Sequence, residues 1–372
     1  MKLEQYMNIY DLIRPALKNV PPYVPGRSIA TAQKENGGIP MVKLSSNENL
    51  LGPSPKAVQA MKDVASQIHY YPEPKADTLT ARIAEYHGVS PDHVVVANGS
   101  NTLLDIISNV FLWPDDEVIF CEPTFSVYKS GAIKYDAKPI ALPLTKDLKF
   151  DLAAMKNAVT DKTKLVQICN PNNPTASYVG KEALEAFIKS MPERVITVLD
   201  EAYMDFVESD DCCSMIHMVD DYNVIVARTF SKIYGLAAAR VGYIIARPEI
   251  AQIIKANTIT FSVNQFATAA SLASMDDEEY RKLSYETNKA GRAYLLRELS
   301  RFNWKVMPSE TNFICIVDLP EPPQKIAKEL EKRGVIVRGN FPGILRISVG
   351  LPEHNQKLLE AVADYFNCLE NK

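Results

Sequence analysis

The sequence predicts an α/β fold, with a mostly parallel sheet covered by helices in a large domain and a smaller α/β domain after it. Three observations support this prediction. The chain has 372 residues, of which 47% are hydrophobic, so it can bury a large core. From residue 94 onwards, short apolar runs rich in β-branched residues alternate with segments of helical periodicity. The runs are apolar on both faces, which is typical of parallel strands buried between two layers of helices.

Six apolar runs are the predicted strands of the large domain. They lie at residues 94–96, 117–121, 165–169, 196–199, 223–226 and 242–246. A helix between the first two is predicted because apolar residues recur at the spacing of one buried stripe, at Leu103, Ile107, Val110 and Phe111. We expect this helix to begin just after Asn101.

The two ends of the chain differ from its centre. The first 45 residues are rich in proline, which favours extended backbone, so they predict an irregular arm. Beyond residue 275 a charged helix is predicted, then strands at 312–317, 335–337 and 345–348 and helices at 323–333 and 358–366. We therefore predict an arm with part of the small domain (1–45), a large domain (46–274) and a small C-terminal domain (275–372).

Charge and composition disfavour several classes of partner. The net charge is −4 and forms no long run of one sign, which disfavours nucleic acids and anionic membranes. No apolar segment approaches the roughly 20 residues that span a bilayer, and residues 1–10 lack the apolar core of a signal peptide, so we expect a cytoplasmic protein. The six cysteines show no Cys-x-x-Cys spacing and the five histidines do not cluster near them, so we expect no metal site.

The segment after the strand at 223–226 carries the strongest functional signal. Lys232 ends the stretch Arg-Thr-Phe-Ser-Lys, and Arg240 follows eight residues later. A single lysine is normally a solvated surface residue. This pattern, however, resembles the fold-type I pyridoxal-5′-phosphate (PLP) enzymes, in which such a lysine carries the cofactor.

The resemblance implies a role for each polar residue of this segment. Lys232 would bond to the cofactor aldehyde, which requires a neutral amine in a desolvated pocket of positive potential. The hydroxyls of Thr229 and Ser231 and the guanidinium of Arg240 would bind the cofactor phosphate, since arginine offers two charge-assisted hydrogen bonds.

A second phosphate-binding element is predicted at Gly99, Ser100 and Asn101, between a strand and a helix. Free N–H groups and the helix dipole favour an anion at such a helix N-terminus. An ordinary strand-to-helix turn capped by Ser or Asn would have the same sequence pattern. The assignment to cofactor phosphate therefore follows from the resemblance.

Four residues are predicted around the cofactor ring. Asp200 falls at the C-terminal end of a buried strand, the usual position for ligand groups in α/β sheets, although a helix-capping aspartate is the alternative. In the family this aspartate keeps the ring nitrogen protonated, so that the ring can accept electrons. Tyr203 and Asn173 match residues that bind the phenolic oxygen, although Asn-Pro runs often only form turns. Phe125 matches the residue that stacks on the ring, or is a core phenylalanine.

Two more residues gain a role from the resemblance. Arg346 interrupts an otherwise apolar strand, and a buried arginine needs a partner. The family supplies the α-carboxylate of the substrate as that partner. Tyr71 corresponds to a tyrosine that reaches the cofactor phosphate of the neighbouring subunit, which implies a homodimer.

Within this family the chain is most similar to the histidinol-phosphate aminotransferases, in the stretches 22–26, 43–49, 52–55, 71–73, 228–232 and 334–338. In that group the arginine matching Arg338 binds the substrate phosphate, and the tyrosine matching Tyr23 lines the neighbouring subunit's pocket. Asn47, in the second of these stretches, is a further predicted substrate-binding residue. The alternative for Arg338 is a solvated charge at the end of a strand.

The predicted reaction is transamination of histidinol phosphate with glutamate and 2-oxoglutarate, with Lys232 as the proton shuttle. Three features depart from the family pattern: Ala176 replaces a glycine, Ala238 and Ala239 replace Gly-Leu, and the segment 338–346 beside the substrate pocket is short. An aromatic-amino-acid aminotransferase is the first alternative, and threonine-phosphate decarboxylase, which needs no keto-acid acceptor, is the second. A non-catalytic PLP-binding regulator would need a DNA-binding domain, for which the 45-residue arm is too short.

Overall fold

A computed structural model of the chain describes residues 11–20 and 25–370, with side chains to residue 368. In the N-terminal arm it contains α1 (Ile29–Glu35) and β1 (Val42–Lys43). The sequence predicted irregular structure here, and α1 corrects that prediction. The helix forms because Ser28 caps it: the Ser28 hydroxyl accepts a hydrogen bond from the Thr31 amide at 3.1 Å.

The large sheet has seven strands, which are β2 (Val94–Ala97), β3 (Glu117–Glu122), β4 (Lys138–Pro143), β5 (Thr163–Cys169), β6 (Ile196–Asp200), β7 (Val224–Thr229) and β8 (Gly242–Ala246). Their order across the sheet is β2-β8-β7-β6-β5-β3-β4. Strands β3 to β7 run parallel, and β8 is antiparallel to both of its neighbours. The predicted, mostly parallel sheet is therefore confirmed.

In the described part of the chain, eight α-helices accompany this sheet, which are α2 (Pro55–Val64), α3 (Asp77–His87), α4 (Ser100–Phe111), α5 (Val127–Lys134), α6 (Leu152–Asn157), α7 (Lys181–Lys189), α8 (Pro248–Asn257) and α9 (Gln265–Met275). The helix predicted from its buried stripe is α4. It begins at Ser100 and not after Asn101, because Gly99 takes the position before the first helical residue.

Strand β4 was not predicted from the sequence. It lies at the edge of the sheet, where only β3 pairs with it, and each of its residues is exposed or half-buried. Pro139 and Pro143 lie within it, and proline is tolerated only in edge strands because it cannot donate a ladder hydrogen bond. The composition of β4 is therefore typical of a loop, which is why the sequence did not predict this strand.

The C-terminal part is a second α/β unit, composed of α10 (Glu278–Leu299), β9 (Lys305–Val306), β10 (Phe313–Val317), α11 (Pro323–Lys332), β11 (Val335–Ile336), β12 (Arg338–Phe341), β13 (Ile344–Ser348) and α12 (Pro352–Glu370). Four of its strands form an antiparallel sheet in the order β12-β13-β10-β9, and β11 pairs in parallel with β1 of the arm. Arg338 does not end the predicted strand at 335–337. It begins the separate strand β12, which folds back on β13 as a hairpin.

Two large apolar cores underlie this arrangement. One is built from residues between Ala57 and Met275, and the other from Leu44 with residues between Leu295 and Tyr365. A third, smaller cluster joins Ala176 and Tyr203 to Phe313 and Ile344, so it connects the two parts of the chain. The domain boundaries stay a prediction, which the separate cores support.

Among the described residues, no helix has the length and apolar character needed to cross a membrane. The same part of the chain contains no group of three or more His, Cys, Asp or Glu side chains arranged to hold a metal ion.

Candidate active site

The candidate site lies where parallel strands of the large sheet end. Asp200 is the last residue of β6, Thr229 is the last residue of β7, and Asn173 follows the end of β5. Because β5, β6 and β7 are neighbouring parallel strands, their carboxyl ends meet at one edge of the sheet. Ligands of open α/β sheets bind at this edge.

Lys232 lies just beyond β7 and is half-buried. Its Nζ donates hydrogen bonds to the carbonyl oxygens of Asn47 at 3.2 Å and Ser46 at 3.5 Å. Burial and, after it, the positive charge of Arg346 lower the pKa of Lys232 from 10.5 to about 8. The amine is therefore neutral far more often than an ordinary lysine, which suits bond formation with an aldehyde.

Asp200 is only 4% exposed, and each of its carboxylate oxygens accepts a hydrogen bond. Oδ2 accepts from the Tyr128 hydroxyl at 3.0 Å, and Oδ1 accepts from the Ala202 amide at 3.2 Å. Burial raises the pKa of Asp200 to about 6, against the opposing effect of these two donors. The group is still mostly ionised at neutral pH.

The predicted phosphate-binding residues come together around two glycines. A Cβ on Gly99, which has φ of +105°, would lie 2.6 Å from Nη2 of Arg240. A Cβ on Gly242 would lie 2.4 Å from the backbone N of Ser100. Because glycine has no Cβ, the Arg240 guanidinium can lie against the start of α4 at Gly99, and β8 can lie against Ser100 at Gly242. Any residue with a side chain at Gly99 or Gly242 would force these groups apart.

The other predicted phosphate ligands border this cradle. Thr229 is the register partner of Gly242, and its hydroxyl accepts a hydrogen bond from the Ser231 amide at 3.1 Å. Asn101 is exposed on the first turn of α4. The backbone N–H groups at the start of α4 and the Arg240 guanidinium thus lie together, with Thr229 beside them, and these are donors of the kind that a phosphate monoester needs.

Arg346 and Asn173 contact each other and form a further part of the site. Arg346 donates to Oδ1 of Asn173 at 2.5 Å and to the carbonyl oxygen of Ser45 at 2.6 Å. Its guanidinium carbon lies 5.4 Å from the ring centres of both Phe313 and Phe341. The buried arginine on β13 is thereby joined to the loop after β5.

Tyr203 and Asn47 lie beside these two residues, and both are buried. Asn47 donates from Nδ2 to the Tyr203 hydroxyl at 3.0 Å. Burial raises the pKa of Tyr203, while Arg346 opposes that shift. The hydroxyl therefore stays protonated and can donate a hydrogen bond to a ligand oxygen.

Asn47 has a left-handed backbone, with φ of +52°, and two residues of the C-terminal unit hold it. Its amide donates to the Ser348 hydroxyl at 2.8 Å, and its carbonyl accepts from the Asn312 side chain at 3.0 Å. Because the same carbonyl also accepts from Lys232, Asn47 links the C-terminal unit to the lysine.

Phe125 and Arg338 lie at the margins of the site. Phe125 is half-buried, and its ring meets the Tyr128 ring edge-on with 6.0 Å between centres. Arg338 is half-buried and is the register partner of Arg346 on the adjacent antiparallel strand. Directly opposed residues of such strands project to the same face, so both arginines point to one side of the sheet.

One predicted residue, Tyr71, is not brought to the site of its own chain. Tyr71 is 82% exposed and stacks on Phe261 with 4.8 Å between ring centres. A role for Tyr71 in the neighbouring subunit's site stays a prediction. Tyr23 lies outside the described residues.

Sequence reasoning missed two groups that support the site. One is Tyr128, which gave no signal beyond its place three residues after Phe125. The other is Arg228, which forms ion pairs with Glu201 and Asp205 at 3.0 Å each. Arg228 stands in the quoted lysine motif, and Glu201 directly follows Asp200, the last residue of the neighbouring strand β6. The available signal was therefore two opposite charges, each just after a predicted buried strand.

The residues present fit PLP. The cradle at Gly99 and Arg240 suits its phosphate, the ionised Asp200 suits a protonated ring nitrogen, and the Lys232 amine of lowered pKa suits its aldehyde. The fold and this site together define a PLP-dependent enzyme of the α/β type.

Comparison with known proteins leads to the same class of enzyme. Residues 39–365 match the model of the family described as aminotransferase class I and II, and the chain belongs to this family. It is 39% identical over 357 residues to a histidinol-phosphate aminotransferase of Moorella thermoacetica, which covers 94% of this chain and 92% of that one. It is 38% identical over 354 residues to histidinol-phosphate aminotransferase 2 of Carboxydothermus hydrogenoformans, covering 94% and 97%.

Among solved structures, the chain is similar to histidinol-phosphate aminotransferase from Sinorhizobium meliloti in complex with pyridoxal-5′-phosphate. The TM-score is 0.88 at 25% identity, covering 96% of this chain and 98% of that one. L-threonine-O-3-phosphate decarboxylase from Porphyromonas gingivalis shares the fold, with a TM-score of 0.78 at 21% identity, covering 88% of this chain and 100% of that one.

Proposed function

We propose that the protein is a PLP-dependent aminotransferase that exchanges the amino group between histidinol phosphate and 2-oxoglutarate. The observation that carries the proposal is the pairing of Arg338 with Arg346 on adjacent strands beside the lysine site. Glutamate offers an α-carboxylate, whereas histidinol phosphate has no carboxylate and offers a phosphate instead. Two neighbouring cations can serve these two anions.

PLP, when bound, supplies an electrophilic aldehyde and a ring that withdraws electrons from the substrate. The residues of this chain would hold and orient it. Arg240 and the first turn of α4 bind its phosphate, Asp200 keeps a proton on the ring nitrogen, and Tyr203 with Asn173 binds the phenolic oxygen. Asn47 positions Tyr203 through its side-chain amide.

Lys232 then acts as the general acid and base. Its Nζ, held by the carbonyls of Asn47 and Ser46, takes the proton from the α-carbon of the substrate. A pKa of about 8 places the amine close to the operating pH, where a base is most effective.

A substrate panel tests the function. With 2-oxoglutarate as acceptor, histidinol phosphate should give the highest kcat/KM, and glutamate should form in equal amount. Higher activity with aromatic amino acids, or release of CO2 from threonine phosphate without any acceptor, would replace the proposal by one of those activities.

The variant Arg338→Ala tests the observation behind the proposal. Loss of a charge-assisted, partly buried contact costs about 2 kcal/mol or more, which predicts a roughly 30-fold or greater loss in kcat/KM for histidinol phosphate. The glutamate half-reaction should lose much less. The control Arg301→Ala, at an exposed arginine two residues after the end of α10, should change neither half-reaction. Equal losses in both half-reactions would make Arg338 a structural residue.

We also propose a homodimer, because Tyr71 and Phe261 form an exposed aromatic pair that a second subunit can cover. Tyr71 would then reach the cofactor phosphate of the partner. The substrates are small water-soluble metabolites, which is consistent with a cytoplasmic location; that location stays a prediction.

A further inference from the structure

Tyr128 occupies an unusual place between two residues that would contact the cofactor ring. It is the second residue of α5 and is 1% exposed. Its hydroxyl donates to Oδ2 of Asp200 at 3.0 Å, and its ring meets the ring of Phe125 edge-on at 6.0 Å and 88°. One side chain therefore touches both Asp200 and Phe125.

A purely structural role would not require the hydroxyl. The Tyr128 ring also packs on Phe120, with 6.3 Å between centres, inside the large core, and a phenylalanine would fill that position. A buried hydroxyl needs a hydrogen-bond partner, and here the partner is the carboxylate of Asp200. With Ala202 donating to the other oxygen, the plane of this carboxylate is fixed from two sides.

We propose that Tyr128 is a positioning residue for the cofactor ring: its hydroxyl holds Asp200 toward the ring nitrogen, while its ring supports Phe125 against the face of the cofactor. This inference rests on the proposed placement of Asp200, and the experiment below separates the two.

The charges around Asp200 give the hydroxyl a second effect. The titratable groups that face Asp200 are Tyr128 from α5, Cys169 from β5, Glu201 and Tyr203 from the segment after β6, and Lys232 from the segment after β7. Burial raises the pKa of Asp200 to about 6, and the Tyr128 hydroxyl is the largest influence that lowers it. Removing the hydroxyl should therefore raise this pKa, so that Asp200 takes up a proton closer to neutral pH.

The experiment compares two ligands of the full-length protein after its cofactor has been removed. One is PLP, and the other is an analogue in which a carbon replaces the ring nitrogen. Binding is titrated by absorbance and protein fluorescence, so no turnover is needed. The variants are Tyr128→Phe, Asp200→Ala and the control Tyr365→Phe. The control also removes a buried hydroxyl that donates to a carboxylate, but Tyr365 and its partner Glu321 belong to the C-terminal unit.

The native protein should prefer PLP over the analogue, and Asp200→Ala should abolish the preference. Tyr128→Phe should reduce the preference about tenfold, the effect expected for a hydrogen bond to a charged group, while affinity for the analogue changes little. As the pH is lowered, the preference for PLP should begin to fall at a higher pH in Tyr128→Phe than in the native protein, because Asp200 takes up its proton at a higher pH. Tyr365→Phe should behave as the native protein does.

Two results would overturn the inference in different ways. A native protein without any preference for PLP would refute the placement of Asp200 and, with it, the role of Tyr128. A preference that Asp200→Ala abolishes but Tyr128→Phe leaves intact, or equal weakening of both ligands in Tyr128→Phe, would refute the role of Tyr128 alone.

Discussion

Replacing Arg228 by methionine should destabilise the fold, because Arg228 is the shared partner of two carboxylates beneath the active site. Its Nη1 lies 3.0 Å from Glu201, whose side chain is 1% exposed, and its Nη2 lies 3.0 Å from Asp205, whose side chain is 14% exposed. Methionine retains much of the volume and removes the charge. Breaking a buried ion pair from one side costs about 3–5 kcal/mol, because the other charge stays buried without compensation.

The pH dependence follows from Glu201. Burial already raises the pKa of Glu201, and Arg228 is the largest influence that opposes this shift. In Arg228→Met the folded-state pKa should rise further above the unfolded value of roughly 4.3. The loss of stability in Arg228→Met is therefore greatest above the folded-state pKa of Glu201, where the buried carboxylate is ionised. It shrinks as the pH falls toward the pKa of Glu201 in the unfolded chain, because the carboxylate takes up a proton.

Urea denaturation of the cofactor-free protein, followed by circular dichroism at pH 5 and pH 8, measures this effect. The loss of unfolding free energy in Arg228→Met should be larger at pH 8 than at pH 5. In a double-mutant cycle, the protein that carries both Arg228→Met and Glu201→Gln should recover part of that loss. Arg301→Met is the control, since that side chain is 68% exposed and its surface pair with Glu298 should contribute about 0.5 kcal/mol or less. A loss below about 1 kcal/mol, or one that is the same at both pH values, would refute the reasoning.

Three further outcomes are expected. Asp200→Asn should still bind PLP through the phosphate cradle but lose turnover by orders of magnitude in the substrate assay, because an unprotonated ring is a poor electron acceptor; near-normal turnover would exclude this role. The rate at which cofactor-free protein captures PLP, followed by absorbance, should rise with pH through about 8, where Lys232 loses its proton, and Arg346→Met should move that midpoint upward; a midpoint near the ordinary lysine value would contradict the assigned environment. Tyr71→Phe should be impaired alone, yet mixing it with inactive Lys232→Ala chains should restore activity through sites shared between subunits, and no restoration would argue against them.

The elements that the sequence predicted well are those whose signal is local. Strands β5, β6 and β7 are buried on both faces, so their apolar runs stand out from the surrounding sequence. Helix α1 and strand β4 gave no such run, since one depends on a serine cap and the other is a proline-containing edge strand. The hairpin that carries Arg338 was also missed, because β11 is only two residues long and β12 is mostly polar.

The residues of the candidate site also divide into those with a local sequence signal and those recognised only through contacts in the fold. The family pattern named Lys232 and Arg240, which share one short segment, and Asp200, which lies in another. Contacts across the fold leave no such trace: Asn47 and Tyr203 are 156 residues apart, and Arg346 and Asn173 are 173 residues apart. Tyr128 was missed for a further reason. An aromatic residue at the start of a helix usually indicates core packing, and only the hydrogen bond of its hydroxyl to Asp200 distinguishes it.

The central claim is that Lys232 carries the cofactor, and chemical labelling tests it most directly. The purified protein should be yellow, and borohydride should bleach it while fixing PLP to one lysine. Mass spectrometry of the digested protein should then find the label on Lys232, and Lys232→Ala should take up none. A label on a different lysine, or an unlabelled protein that still transfers amino groups, would contradict the account.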